Sequence, residues 1–141
     1  MGRLWLVLAV MILAVGCGQP EKGETPAWVQ RNLHAADVML ELKEPKPGER
    51  VLAQRRVTQE WLDRFVSAYR GAANDKLPAC IFHTDVDLRI STRKPIVIEF
   101  CFGCGVMRSS ESQVAASMSD TAPLKELLAE VFPTDKRFSD R

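Results

Sequence analysis

Four side chains in the middle of the chain have the type and spacing for chemistry: Cys80, His83, Cys101 and Cys104. Cys80-x-x-His83 followed by Cys101-x-x-Cys104 is a workable zinc spacing, because thiolate and imidazole ligands in two such pairs can complete a tetrahedron. Gly105, directly after the second pair, would let the backbone turn around a metal. The same atoms could instead form a structural disulfide, a Cys101–Cys104 bridge or a set of buried free thiols. A redox-active C-x-x-C pair opens a helix, where the dipole lowers the thiol pKa. Here the pair closes an apolar alternation and is followed by Gly-Val-Met-Arg-Ser-Ser, which disfavours redox catalysis.

The elements around these residues decide between the alternatives. Phe82, Val86, Leu88 and Ile90 share one parity, and Asp85, Asp87 and Arg89 the other. Residues 91–95 supply a polar turn. Ile96, Ile98, Phe100 and Phe102 then carry the returning apolar face while Glu99 points away. This pattern is an antiparallel hairpin with one buried side. A turn centred near Thr92 sets Cys80 opposite Cys104, and His83 opposite Cys101. Directly opposed residues have Cβ atoms about 4.5–5.5 Å apart, within small adjustment of disulfide geometry. Residues three apart on a strand face opposite ways, so a single zinc site would need the chain to curl at Gly103 and again near Phe82. Parity therefore favours a Cys80–Cys104 disulfide with no resident cofactor. Zinc on Cys80, His83, Cys101 and Cys104 is the alternative. Cys101 is left unpaired on the outer face. His83 reads as a surface residue, and Asp85, Asp87 and Glu99 with Arg89 and Arg93 as a solvated charge ladder.

The remaining elements follow from periodicity. Residues 38–42 and 51–57 read as strands, separated by the Pro45 and Pro47 turn. Residues 58–72 read as a helix with Thr58 as its N-cap and Leu62, Phe65, Val66 and Tyr69 as its apolar face. Val57 and Leu62 stand at hydrophobic-staple positions, and Glu60 and Arg64 form an i,i+4 pair. A strand resumes at residues 106–108. The serine-rich stretch 109–120 reads as a loop, and Thr121 and Pro123 open a last helix whose stripe is Leu124, Leu127, Leu128 and Val131. The fold class is α+β: a small antiparallel sheet of three to five strands packed by two helices. The folded domain spans residues 28–133, and residues 134–141 form a polar tail expected to fray.

Composition narrows the function. The 141 residues are 46% hydrophobic and 26% charged, as in an ordinary globular protein. The formal charge is +1, and Arg3 is the one charged residue among the first 16, so the rest of the chain is neutral. Nucleic-acid binding needs clustered Lys and Arg on phosphates. Only isolated pairs such as Arg55-Arg56 and Arg93-Lys94 occur here, so no nucleic acid is an expected partner. The sequence has no H-E-x-x-H, no G-x-S-x-G and no phosphate loop.

The N-terminus carries an address. Behind Arg3, residues 4–15 are an unbroken apolar run that would span roughly 18 Å as a helix, short of the ~30 Å hydrocarbon core. A basic start and a short apolar run make residues 1–16 a secretory signal. The run closes with Leu13-Ala14-Val15-Gly16-Cys17, which resembles the lipobox of bacterial lipoproteins, with alanine where leucine is commonest. The resemblance implies cleavage before Cys17, a diacylglycerol on its thiol, and a membrane anchor on the exported side. Gly18 after Cys17 implies outer-membrane sorting in a cell with two membranes. Residues 17–27 then combine the lipidated cysteine with a Gly- and Pro-bearing tether. The mature part, through Cys80 and Cys101-Phe102-Gly103-Cys104, resembles a group of small uncharacterised exported bacterial proteins, a resemblance that implies no activity. The expectation is a membrane-anchored envelope lipoprotein whose domain is a non-enzymatic binding or assembly module. The alternative is a zinc-binding or thiol-redox envelope protein.

Overall fold

Alternating apolar residues build the sheet on which everything else rests. The computed structural model describes residues 26–45, 50–69, 71–73, 79–112 and 115–139. The signal segment, Cys17, most of the tether and the centre of the Pro45–Pro47 turn lie outside the described residues. Seven strands form one sheet: β1 (Val38–Lys43), β2 (Val51–Arg55), β3 (Gly71–Ala73), β4 (Val86–Ile90), β5 (Ile96–Cys101), β6 (Val106–Ser109) and β7 (Ala116–Met118). Their spatial order is β2-β1-β4-β5-β6-β7-β3. Every pairing is antiparallel. Two main helices, α1 (Gln59–Ala68) and α2 (Ala122–Val131), and a short α3 (Lys136–Ser139) complete an α+β domain.

The strand number corrects the expected three to five. The additional strands β3 and β7 have three residues each, too few to display a period of two. Gly71-Ala72-Ala73 falls where helix 58–72 was expected to end, and Ala116-Ser117-Met118 lies inside the supposed serine-rich loop. They pair with each other, Gly71 opposite Met118 and Ala73 opposite Ala116.

Thr58 caps α1 as its position demands, its hydroxyl accepting from the Trp61 amide at 3.2 Å. Leu62, Phe65 and Tyr69 are buried on the expected face, joined by Trp61. The Trp61 indole N–H donates to the Leu127 carbonyl at 2.9 Å, which ties α1 to α2. Arg64 does not settle on Glu60. Its guanidinium forks onto Glu130 of α2 at 2.7 and 3.1 Å, because a planar carboxylate across the helix pair accepts two bonds at once.

The core lies between the helices and one sheet face, formed by Leu40, Leu88, Ile98, Phe100 and Met107. Phe100, on the central strand, stands at the middle of an aromatic chain. Its ring centroid lies 5.6 Å from Phe65, 5.9 Å from Trp28 and 6.1 Å from Phe102. Trp28 and Leu33 are both buried, reached through a hydrogen-bonded turn in place of a regular helix.

The tail does not fray over its described part. Phe138 is buried and packs edge-on against Phe102 at 5.9 Å. Arg137 holds the tail down by donating to the Lys43 carbonyl at 2.8 Å and to Asp85 at 3.1 Å. A single apolar residue in a polar stretch has no period to announce it, so the sequence reading passed over this contact. Asp135 is clasped by the same guanidinium, whose hydrogen bond outweighs burial and holds the Asp135 carboxyl below its ordinary value. A lowered carboxyl contributes stability that is complete above the ordinary value of about 4 and disappears as pH falls through the lowered value. Asp135→Asn should therefore reduce the melting temperature at neutral pH. Melting curves taken down an acid series should show the gap to wild type closing below the ordinary Asp value.

Candidate functional site: a disulfide-latched strap

The chain connection from β3 to β4 positions the candidate residues. These strands are consecutive in the chain but four places apart in the sheet, roughly 19 Å at the usual strand spacing. The connection has to pass β7, β6 and β5, and residues 79–85 are its described end. Phe82 lies under the Arg108 guanidinium, 3.6 Å from ring centroid to carbon. The Thr84 hydroxyl donates to Glu99 at 3.2 Å. Glu99 and Arg108 are an opposed pair on the face turned away from the helices. Residues 82–84 thus form a strap across the outer face of β5 and β6.

Asp85 ends the strand ladder and starts the strap. Its amide still donates to the Phe100 carbonyl at 2.8 Å. Its carboxylate then accepts from the Phe102 amide at 2.8 Å, in the place a backbone carbonyl would occupy. Thr84 turns out of the sheet plane as a result.

Cys80 and Cys104 are joined in a disulfide with a Cα separation of 5.9 Å. The pair agrees with the sequence reading, but the assumed register does not. The hairpin pairs Val86 with Phe100, Leu88 with Ile98 and Ile90 with Ile96, so its centre is Arg93, not Thr92. Continued outward, that register would set Cys104 opposite Phe82. The shift is two residues, so the same side chains face the core. The bridge closes because the chain before Val86 leaves the ladder and doubles back over it. Cys104 sits in the turn between β5 and β6, its sulfur 3.4 Å from the Ile81 carbonyl oxygen. Gly105 completes that turn at φ +62°, a left-handed conformation that costs other residues energy.

Cys101 is the free cysteine among the described residues and is buried. It pairs with Val106 at the end of the hairpin, on the outer parity of the strand as expected. Strap residues are anchored on both sides of it, at Glu99 and at Cys104. His83 is half-buried on the strap. The disulfide engages two of the four side chains on which the zinc spacing rested. Among the described residues, no group of three or more His, Cys, Asp or Glu side chains is arranged to hold a metal ion.

The outer charges are not the solvated ladder that alternation suggested. Glu41, Lys43 and Asp87 are all more than nine-tenths buried. The Lys43 ammonium lies 3.1 Å from Asp87 and 3.4 Å from Glu41. Arg89 and Gln54 both donate to Glu41, at 2.6 and 2.7 Å. Burial pushes the Asp87 carboxyl up despite Lys43 beside it. Burial acts the same way on Glu41, but the bonds from Arg89 and Gln54 and the charges of Arg89 and Lys43 outweigh it and leave that carboxyl lowered. Lys43 was missed because it follows a β-bulge at the end of β1, and a charged residue there reads as exposed.

A shallow cleft of about 280 Å³ lies at the far end of the sheet, lined by Arg31, Lys94, Ser110 and Glu111 among others. None of the candidate residues lines it. No described helix is long and apolar enough to cross a membrane. No family model matches the chain, and neither a curated protein nor a solved structure does so.

Proposed function

We propose that this protein is an exported bacterial lipoprotein whose α+β domain is a binding or assembly module of the cell envelope and not an enzyme. The observation that carries the reading is Leu13-Ala14-Val15-Gly16-Cys17 directly behind a short apolar run. Acyl chains on Cys17 would hold the chain at the membrane, since each buried methylene contributes about 0.8 kcal/mol and two or more chains make a stable anchor. In a cell with two membranes, Gly18 after Cys17 favours sorting to the outer membrane, facing the periplasm. The Cys80–Cys104 bridge supports export, because disulfides persist in oxidising spaces.

Cys17→Ser tests the anchor. Cells expressing the variant should accumulate an unprocessed chain or release the protein from the membrane fraction. Unchanged processing and unchanged membrane retention would end this reading.

A further inference from the structure

The β2 edge of the sheet is left open among the described residues. β2 is outermost and pairs with β1 and with no other described strand. The Lys43 amide donates to the Asp85 carbonyl, on the β4 side of β1. Hydrogen-bonding direction alternates along a strand, so Leu40 and Leu42 bond toward β2, and their partners Arg55 and Ala53 bond back. Gln54, between those two, turns its own amide and carbonyl to the open edge. The Arg55 guanidinium donates to that carbonyl at 2.8 Å, in the place a partner strand's amide would take.

The side chains at this edge are sorted by face. The ladder passes from Leu42–Ala53 to Lys43–Val51, so Leu52 is the extra residue of a bulge. Gln54 and Val51 lie opposite Glu41 and Lys43, on the outer face. Leu52, two residues from Gln54, falls on the same face. Val51 and Leu52 are 40% and 46% exposed, two of the three exposed large apolar residues of the described chain. Arg55, opposite Leu40, belongs to the other face. Residues 50–56, Arg-Val-Leu-Ala-Gln-Arg-Arg, hold three arginines and no acidic residue. Arg50 has Glu44 at 3.5 Å. Among the described residues, Arg55 and Arg56 meet no carboxylate and donate instead to the backbone carbonyls of Gln54 and Ala36.

We propose that β2 takes up an extended segment of a protein partner as an added strand, one whose apolar residues alternate with acidic ones. Main-chain bonds to Gln54 supply the attachment, and the side chains supply the selection. The partner's apolar residues cover Val51 and Leu52 on the outer face. Its acidic residues then fall on the opposite face, beside Arg55. There the guanidinium leaves the Gln54 carbonyl for a carboxylate, and the carbonyl accepts from the partner's amide. A second copy of this chain is a poor occupant. Antiparallel pairing of two β2 strands would bring three arginines of each against three of the other, and opposed like charges are destabilising. The proposal rests on reading the domain as a binding module and not on the anchor, which Cys17→Ser tests separately.

The test uses the full chain carrying Cys17→Ser, so that no lipid enters the measurement. Two short, capped, fluorescent peptides are compared, one alternating valine with glutamate and one alternating valine with lysine. By anisotropy the glutamate peptide should bind saturably, and less tightly as salt is raised. The lysine peptide should not bind. Hydrogen exchange should slow across residues 51–55 when the glutamate peptide is added. Two variants should each weaken its binding by about tenfold or more. Gln54→Pro removes the outward amide, a change an edge strand tolerates, at the cost of the Gln54 bond to Glu41. Arg55→Glu with Arg56→Glu keeps that bond and reverses the charge at exposed positions, and it should bind the lysine peptide instead. Melting curves check that both variants stay folded. The proposal is overturned by no saturable binding, by equal binding of the two peptides, or by wild-type affinity in the charge variant. It is also overturned by protection confined to the cleft lined by Arg31 and Lys94. Protection of residues 51–55 by raised protein concentration alone would make a second copy the occupant and overturn it too.

Discussion

Phe100→Ala should destabilise the domain by about 4 kcal/mol, the middle of the range for a fully buried phenylalanine. Phe100 has no exposed surface. It lies on β5, the fourth of seven strands in spatial order, so its removal opens a cavity at the centre of the sheet. Three aromatic rings, Trp28, Phe65 and Phe102, would lose their common neighbour. They come from three separate parts of the chain, the entering segment, α1 and the turn after β5. A loss of that size is a large fraction of the 5–15 kcal/mol typical of a whole domain. Urea unfolding should show a much lower midpoint with an unchanged slope. A loss below about 1 kcal/mol would mean that this ring is not where the core is joined.

The second large effect belongs to the latch. Replacing Cys80 and Cys104 together with serine should cost about 3.5 kcal/mol, the chain-entropy value for the 24-residue separation of this pair. Hydrogen exchange should rise first and most across residues 79–85, while core amides of β1 and α1 that exchange only through global unfolding should lose protection in step with the lost stability. Adding a reductant should lower the wild-type midpoint toward that of the double variant and leave the variant unmoved. Equal stability of the two proteins would mean that the strap is held without the bridge.

Much of this fold could be read from residue order because burial imposed a period. The alternation from Val86 to Ile90 and from Ile96 to Phe100 named both the hairpin and its buried face. Thr58 and the Leu62, Phe65, Tyr69 series named α1. What escaped had no period. β3 and β7 are three residues long; β7 is held between β6 and β3, and β3 is a strand because β7 supplies its hydrogen bonds. Phe138 looked like a stray residue in a polar tail, and only the gap beside Phe102 gives it a place.

The candidate site was legible in its members but not in its construction. Strand parity pointed to Cys80 and Cys104, yet through a register two residues from the observed one. The conclusion survived because a two-residue shift preserves facing, and because the bridge is made by a crossing strap and not by a ladder. That crossing depends on β3 lying at the far edge of the sheet, a long-range fact that no local pattern carries. The same limit explains the charges. Alternation placed Asp87 and Arg89 on one face correctly, but only the pairing of β1 with β4 brings Glu41 opposite Asp87 and lets Lys43 bridge them.

The most direct test is the intact mass of the protein extracted from membranes in detergent, measured before and after reduction. The expected species begins at Cys17, carries the mass of acyl groups there, and gains one pair of hydrogens on reduction as the Cys80–Cys104 bond opens. A chain with an unmodified Cys17, or one whose mass does not change on reduction, would contradict the picture of a lipid-tethered domain latched across its own sheet.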